Sequence, residues 1–134
     1  MPIADGNLYP ARSYQREAVH FSFRFKPNGS SAVSASSQVG CKGVTVTRTG
    51  AGVFQINLGK KYPKLVSAQF TLLRSAAAPG HCFQVTSNTV ATDGKLSVTY
   101  VENNAGTFGA ADLAAHADCH IACHIVVANT GLDS

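Results

Sequence analysis

The chain has 134 residues, 45% of them apolar and only 13% charged, with four Cys, no Trp and a net charge of +4. That length and apolar share suit one domain with an ordinary core, and exclude both a disordered chain and one that needs disulfides or metal to fold. Charge at roughly half the usual ~25% fits either a surface hidden against neighbours or one that is polar but neutral. Ten of the eleven Lys/Arg and two of the seven Asp/Glu lie at or before Arg74, so the first part carries about +8 and the remainder about −4.

Residues 1–15 (MPIADGNLYPARSYQ) show no hydrophobic period and hold two Pro, a Gly and two Tyr. They read as an extended N-terminal arm, either loose or laid on a neighbour. Arg16 to Lys26 is the first clear strand: Val19, Phe21, Phe23 and Phe25 alternate with His20, Ser22, Arg24 and Lys26, giving one apolar face and one wet one. Pro27-Asn28-Gly29-Ser30 is a turn, and the Ser-rich 30–38 stretch is a weak strand or a loop.

Gly43–Thr49 and Val53–Leu58 form a hairpin around Thr49-Gly50-Ala51-Gly52, with Val44 and Val46 on one arm and Phe54, Ile56 and Leu58 on the other. Gly59-Lys60-Lys61-Tyr62-Pro63 is a loop, and Lys64–Arg74 the next strand. His81–Val90 and Lys95–Glu102 are two more strands, joined by Ala91-Thr92-Asp93-Gly94 with its Asp-Gly hairpin signal. Asn103–Gly109 reads as a loop, Ala110–Ala117 as one or two helical turns, Asp118–Asn129 as the last strand, and the final residues, 131–134, as a tail. About seven short strands with turn signals every 8–12 residues predict an all-β fold. The expectation is a single-domain antiparallel β-sandwich or barrel over 16–130, preceded by the arm.

The pattern Gly43-Val44-Thr45-Val46-Thr47-Arg48-Thr49-Gly50-Ala51-Gly52-Val53-Phe54, then Ile56-Asn57-Leu58, Lys61-Tyr62-Pro63 and Leu65-Val66-Ser67-Ala68, with a last strand ending Ala128-Asn129-Thr130, resembles a group of small virion proteins of tailed bacteriophages. Some of these serve as capsid cement proteins. The resemblance covers roughly residues 16–130, and its motifs are glycine turns and strand ends, which mark a fold type more than a task. It implies a capsid decoration subunit on the outer surface of the head, made in the host cytoplasm. Such a subunit oligomerises, most often as a homotrimer, and clamps the major capsid protein. A tail or baseplate protein is the alternative within the virion. The chain departs from the group at Cys119, His120, Cys123 and His124, where members carry ordinary polar residues.

Those positions, with His116 and Asp118, are the one cluster with ligand-type side chains. On a helix, His116, His120 and His124 would stack on one face. The β-branched Ile121, Ile125, Val126 and Val127 favour a strand, where His120 and His124 stand ~13 Å apart at ~3.3 Å per residue. One ion does not bridge that span, and a Cys119–Cys123 disulfide does not reach. The expectation is therefore no intrachain metal site and no cofactor, with Cys119, Ile121, Cys123 and Ile125 facing the core. A metal shared between subunits, or a metal- or carbohydrate-binding sandwich, stays open as an alternative.

No nucleophile elbow, phosphate loop or dinucleotide fingerprint occurs, and seven scattered carboxylates give a paired-carboxylate site little material. The expectation is no enzyme. Nucleic acid is not expected either: His20, Arg24 and Lys26 share a strand face, but its aromatics lie on the opposite one. Met1-Pro2-Ile3-Ala4-Asp5 lacks the basic, apolar character of a secretory signal, and no segment approaches a membrane-spanning length, so no membrane partner is expected. Free thiols follow as the default for the four Cys in a reducing compartment. The residues expected to touch the capsid are Ile3, Leu8, Tyr9 and Tyr14 of the arm, with the basic edge Lys60, Lys61 and Lys64.

Overall fold

A computed structural model describes residues 18–74, 80–113 and 119–129. The strands are β1 (Ala18–Phe25), β2 (Val39–Gly40), β3 (Thr45–Gly50), β4 (Val53–Asn57), β5 (Lys64–Leu73), β6 (His81–Thr89), β7 (Lys95–Asn104), β8 (Thr107–Ala110) and β9 (His120–Ala128). A single helical turn, α1 (Val90–Asp93), separates β6 from β7. Two antiparallel sheets result. Sheet A has the order β2-β1-β9-β5; sheet B has β3-β4-β7-β6, with β8 pairing the far end of β7. The fold is all-β, as the alternation predicts.

Period-two patterning decides what each strand buries. On β1, Phe21, Phe23 and Phe25 are buried while Ser22 and Arg24 are exposed. On β9, Ile121, Cys123, Ile125 and Val127 are buried and His120, Ala122, His124 and Val126 are not. Sheet B answers with Val46, Phe54, Ile56, Leu96, Val98 and Tyr100. The sheets meet through the edge-to-face pair of Phe25 with Phe54, 5.1 Å between centroids, and the β4–β5 loop adds a second such pair, Phe21 with Tyr62 at 5.7 Å. Each such pair is worth ~0.5–1.5 kcal/mol beyond its buried area. The first and last strands pair over their length, from Ala18 opposite Ala128 to Phe25 opposite Ile121. The centre of sheet A therefore closes only when distant ends of the chain meet, a slow-folding topology.

Two local expectations are corrected and one is refined. Ala91–Gly94 closes the β6–β7 hairpin, with Thr89 opposite Lys95, and does so through α1 and its cap. Val90 is buried, and the helical turn is what points it into the core. Gly94, at φ 74°, takes the left-handed position that ends the turn. Asn103–Gly109 is not a loop: β7 runs on to Asn104, and β8 folds back on it. The two residues between them, Ala105 (φ 54°) and Gly106 (φ 90°), both have positive φ, as a two-residue hairpin of the primed type needs. Residues 110–113 are not helical: Ala110 closes β8, and 111–113 are irregular. The rest of the expected helical turns, 114–117, lies outside the described residues. In the Ser-rich stretch the chain makes a short 3-10 turn, Ala35–Ser37, and then adds the two-residue β2 to the edge of β1.

Candidate functional site

Chain order places β5 and β6 in succession, yet they belong to different sheets. Each is the outer strand of its sheet on the same side of the sandwich, so among the described residues this flank presents two strand edges with no further strand paired to them. An unpaired edge is a template for another chain, and proteins usually blunt it with charge, Pro or brevity. Neither strand is short, at ten and nine residues. β5 (KLVSAQFTLL) has one charged residue, at its start, and β6 (HCFQVTSNT) has no Asp, Glu, Lys or Arg. Besides Lys64, one bulge in each, at Val66 and at Thr86, is the only such device on these two described strands. The opposite flank is different: sheet A ends there in the two-residue β2.

No side chain of β5 or β6 is fully buried. Leu65, Ala68, Phe70, Leu72 and Phe83 are half-buried against the core, while Val66 is 61% exposed, Leu73 39% and Val85 38%. Between the strands lies an open groove of about 330 Å³, lined among others by Phe70, Leu72, His81 and Phe83. Its rings are backed by the buried Tyr100: Phe70 to Phe83 at 5.9 Å, Phe83 to Tyr100 at 5.4 Å, and His81 to Tyr100 at 5.6 Å. Tyr100 donates its hydroxyl to Glu102 Oε2 at 3.0 Å. Burial first, and that hydrogen bond second, push the phenol up to about 12. It stays a neutral donor at physiological pH and supplies no base. The groove offers aromatic and apolar contact through Phe70, Leu72 and Phe83, and polar contact through Thr71 and His81 beside them.

The expected basic edge is assembled at one end of this flank. Lys60, Lys61 and Lys64 are all exposed. The Lys60 ammonium sits 5.2 Å from the centroid of the buried Tyr62 ring. Their loop is pinned by α1: Tyr62 N donates to Val90 O at 3.2 Å and Leu58 N to Gly94 O at 2.9 Å. Gly94 packs directly on the Lys60 carbonyl, where a Cβ would collide. Lys64 opposite Ala128, and Ala128 opposite Ala18, form one row across sheet A. The end of the described N-terminal strand and the end of the last strand thus flank the basic loop. Ile3, Leu8, Tyr9 and Tyr14 lie outside the described residues.

The 120–124 segment belongs to β9, and Cys119 directly precedes it. Cys119 and Cys123 point inward, at 1% and 3% exposure, and His120 and His124 point outward, half-exposed. Burial raises the Cys123 thiol well above its ordinary value, which leaves it an inert core group. None of the four cysteines is in a disulfide. Among the described residues, no group of three or more His, Cys, Asp or Glu is placed to hold a metal; His116 and Asp118 lie outside them. The feature that sequence reasoning did not reach is the partner of His124, which is His20 on β1, with ring nitrogens 3.2 Å apart. Both residues sit at outward-facing positions of their strands, and that parity was the available signal. The register that brings them together was not.

A second polar contact is structural. Arg48 of β3 grips Asp112 through two hydrogen bonds of 2.9 Å, and Gly52 N donates to the same carboxylate at 2.9 Å. This ties the β3–β4 hairpin to the segment after β8. The Arg48 guanidinium, and then the Gly52 N–H, hold the Asp112 carboxyl below the usual carboxylate range. No helix among the described residues is long and apolar enough to cross a membrane. Comparison of the chain with protein families, curated proteins and solved structures finds no match.

Proposed function

We propose that this protein is a structural component of a bacteriophage virion, a decoration or cement subunit that assembles with copies of itself and clamps neighbouring subunits of the major capsid protein. The observation that carries the reading is the β5–β6 flank: two long edge strands with almost no charge, bordering an aromatic groove. Such a flank is a liability on a solitary molecule and an asset on one that meets other copies. The low charge content of the whole chain, 13%, agrees with a surface meant to be covered.

In this reading the flank joins copies, with a trimer as the arrangement carried over from the resemblance. The basic loop (Lys60, Lys61, Lys64) and the arm residues Ile3, Leu8, Tyr9 and Tyr14 face the shell. Clamping needs no bond-making chemistry. A subunit that binds only the assembled shell stabilises it by mass action, by ~2.7 kcal/mol per site at a free concentration of 100 times Kd. Nucleic acid has no part in this account; the aromatics of β1 (Phe21, Phe23, Phe25) are buried on the face opposite Arg24.

Co-sedimentation with undecorated heads tests the proposal. The full chain pellets with heads to a saturating ratio, and a chain lacking residues 1–14 binds more weakly. Full-length protein that stays in the supernatant removes the head reading. Gold-labelled antibody on intact particles then separates head from tail or baseplate.

A further inference from the structure

The outer face of sheet A carries a pair of imidazoles that the assembly reading does not use. His20 stands opposite Val126, and Ser22 opposite His124, so the two histidines are diagonal neighbours across β1 and β9. Nδ1 of His20 lies 3.2 Å from Nε2 of His124, with the ring planes 19° apart and the centroids 5.4 Å apart. At that distance one nitrogen donates and the other accepts, so at least one ring is neutral and keeps a lone pair. Neutral imidazole is the ligand form of histidine.

We propose that His20 and His124 chelate one divalent cation of the late first-row type, Zn2+, Ni2+ or Cu2+, through Nδ1 of His20 and Nε2 of His124. With metal–nitrogen bonds of about 2.0–2.1 Å, nitrogens 3.2 Å apart subtend an angle of about 100° at a shared ion. That lies between the right angle of octahedral coordination and the wider tetrahedral angle, so two cis positions are filled without moving either strand. The ion replaces the proton held between the rings. Each ring turns to aim its lone pair at the ion; the proton leaves to solvent where the donor ring is an imidazolium, and moves to that ring's other nitrogen where both rings are neutral. Imidazole favours these ions over Mg2+ or Ca2+, which take oxygen ligands.

The strands supply rigidity, because both histidines sit within a continuous antiparallel ladder. Gln69 of β5 stands opposite His124 on its other side and is exposed, which puts an amide oxygen on the same face as a third donor. The remaining positions are open to water or to a donor from a neighbouring molecule. His120 shares the face but sits four residues along β9 from His124, ~13 Å away, and does not join.

Calorimetric titration with Zn2+ tests the site, using the full chain with Cys82→Ser so that the exposed thiol takes up no metal. About one ion binds per chain. His20→Ala and His124→Ala each weaken binding by at least the roughly tenfold that even an outer-shell partner is worth, while His120→Ala leaves it unchanged. Imidazole NMR of the same protein provides a readout free of folding defects: His20 and His124 resonances move together on adding Zn2+, and those of His120 stay. Absence of saturable binding, binding indifferent to His20→Ala, or Zn2+ shifts confined to other histidines overturns the proposal.

Discussion

Replacing Cys123 discriminates a core residue from a reactive or ligating one. Its side chain is 3% exposed, and its thiol has only a 3.8 Å contact with the Ile121 carbonyl, too long to count as a real hydrogen bond to an alcohol. Cys123→Ala removes one heavy atom from a packed core, about 1 kcal/mol once a small cavity is included. Cys123→Ser keeps the volume but buries a hydroxyl with no acceptor at hydrogen-bonding distance, which costs about 2–3 kcal/mol. At ~2.1 cal/mol/K per residue, unfolding this chain releases about 0.28 kcal/mol/K, so the two variants lower Tm by roughly 4 °C and 7–11 °C respectively. Thermal melts followed by circular dichroism, with reductant present, measure both. The expected order is wild type, then Ala, then Ser. A Ser variant as stable as wild type would falsify the apolar packing of β9 and bring thiol chemistry back into the account.

Two further changes probe local features. Ala105→Gly relieves a non-glycine residue held at φ 54°; the left-handed strain of ~1–2 kcal/mol exceeds the entropy cost of glycine, so denaturant titration finds a gain of about 0.5–1 kcal/mol. The Asp112 carboxyl titrates lower in the folded chain than in the unfolded one. Its stabilisation is therefore complete above the unfolded value of about 3.9 and is lost as pH falls through the lower folded value. Melting temperature falls more steeply for wild type than for Asp112→Asn when pH drops from about 5 to 2.5; parallel curves contradict the linkage.

What the sequence made legible was governed by short-range rules. The Phe21-Phe23-Phe25 alternation and the β-branched residues around Cys123 specify strands and faces directly, since side chains alternate along a strand whatever it pairs with. The β7–β8 hairpin escaped because its turn is Ala105-Gly106, and an alanine at positive φ gives no signal in place of Asn or Gly. The hairpin at Asp93-Gly94 was legible, but the α1 turn inside it escaped, because Asp-Gly suits both a tight turn and a helix end and the burial of Val90 goes with the second. The groove and the histidine pair depend on which strands become neighbours. β5 and β6 adjoin through sheet order, and His20 meets His124 across 104 positions of sequence. Neither relation leaves a local pattern.

The central claim is that the β5–β6 flank is where copies of the chain meet, and the mass of the purified full chain tests it most directly. Sedimentation equilibrium at tens of micromolar is expected to give a multiple of 14.0 kDa, with three copies the specific expectation. A Val85→Lys change, which puts a charge on the exposed apolar edge of β6, shifts it to the single-chain mass while leaving the melt intact. A wild-type chain that sediments at 14.0 kDa across that range, or an oligomer indifferent to Val85→Lys, contradicts the account.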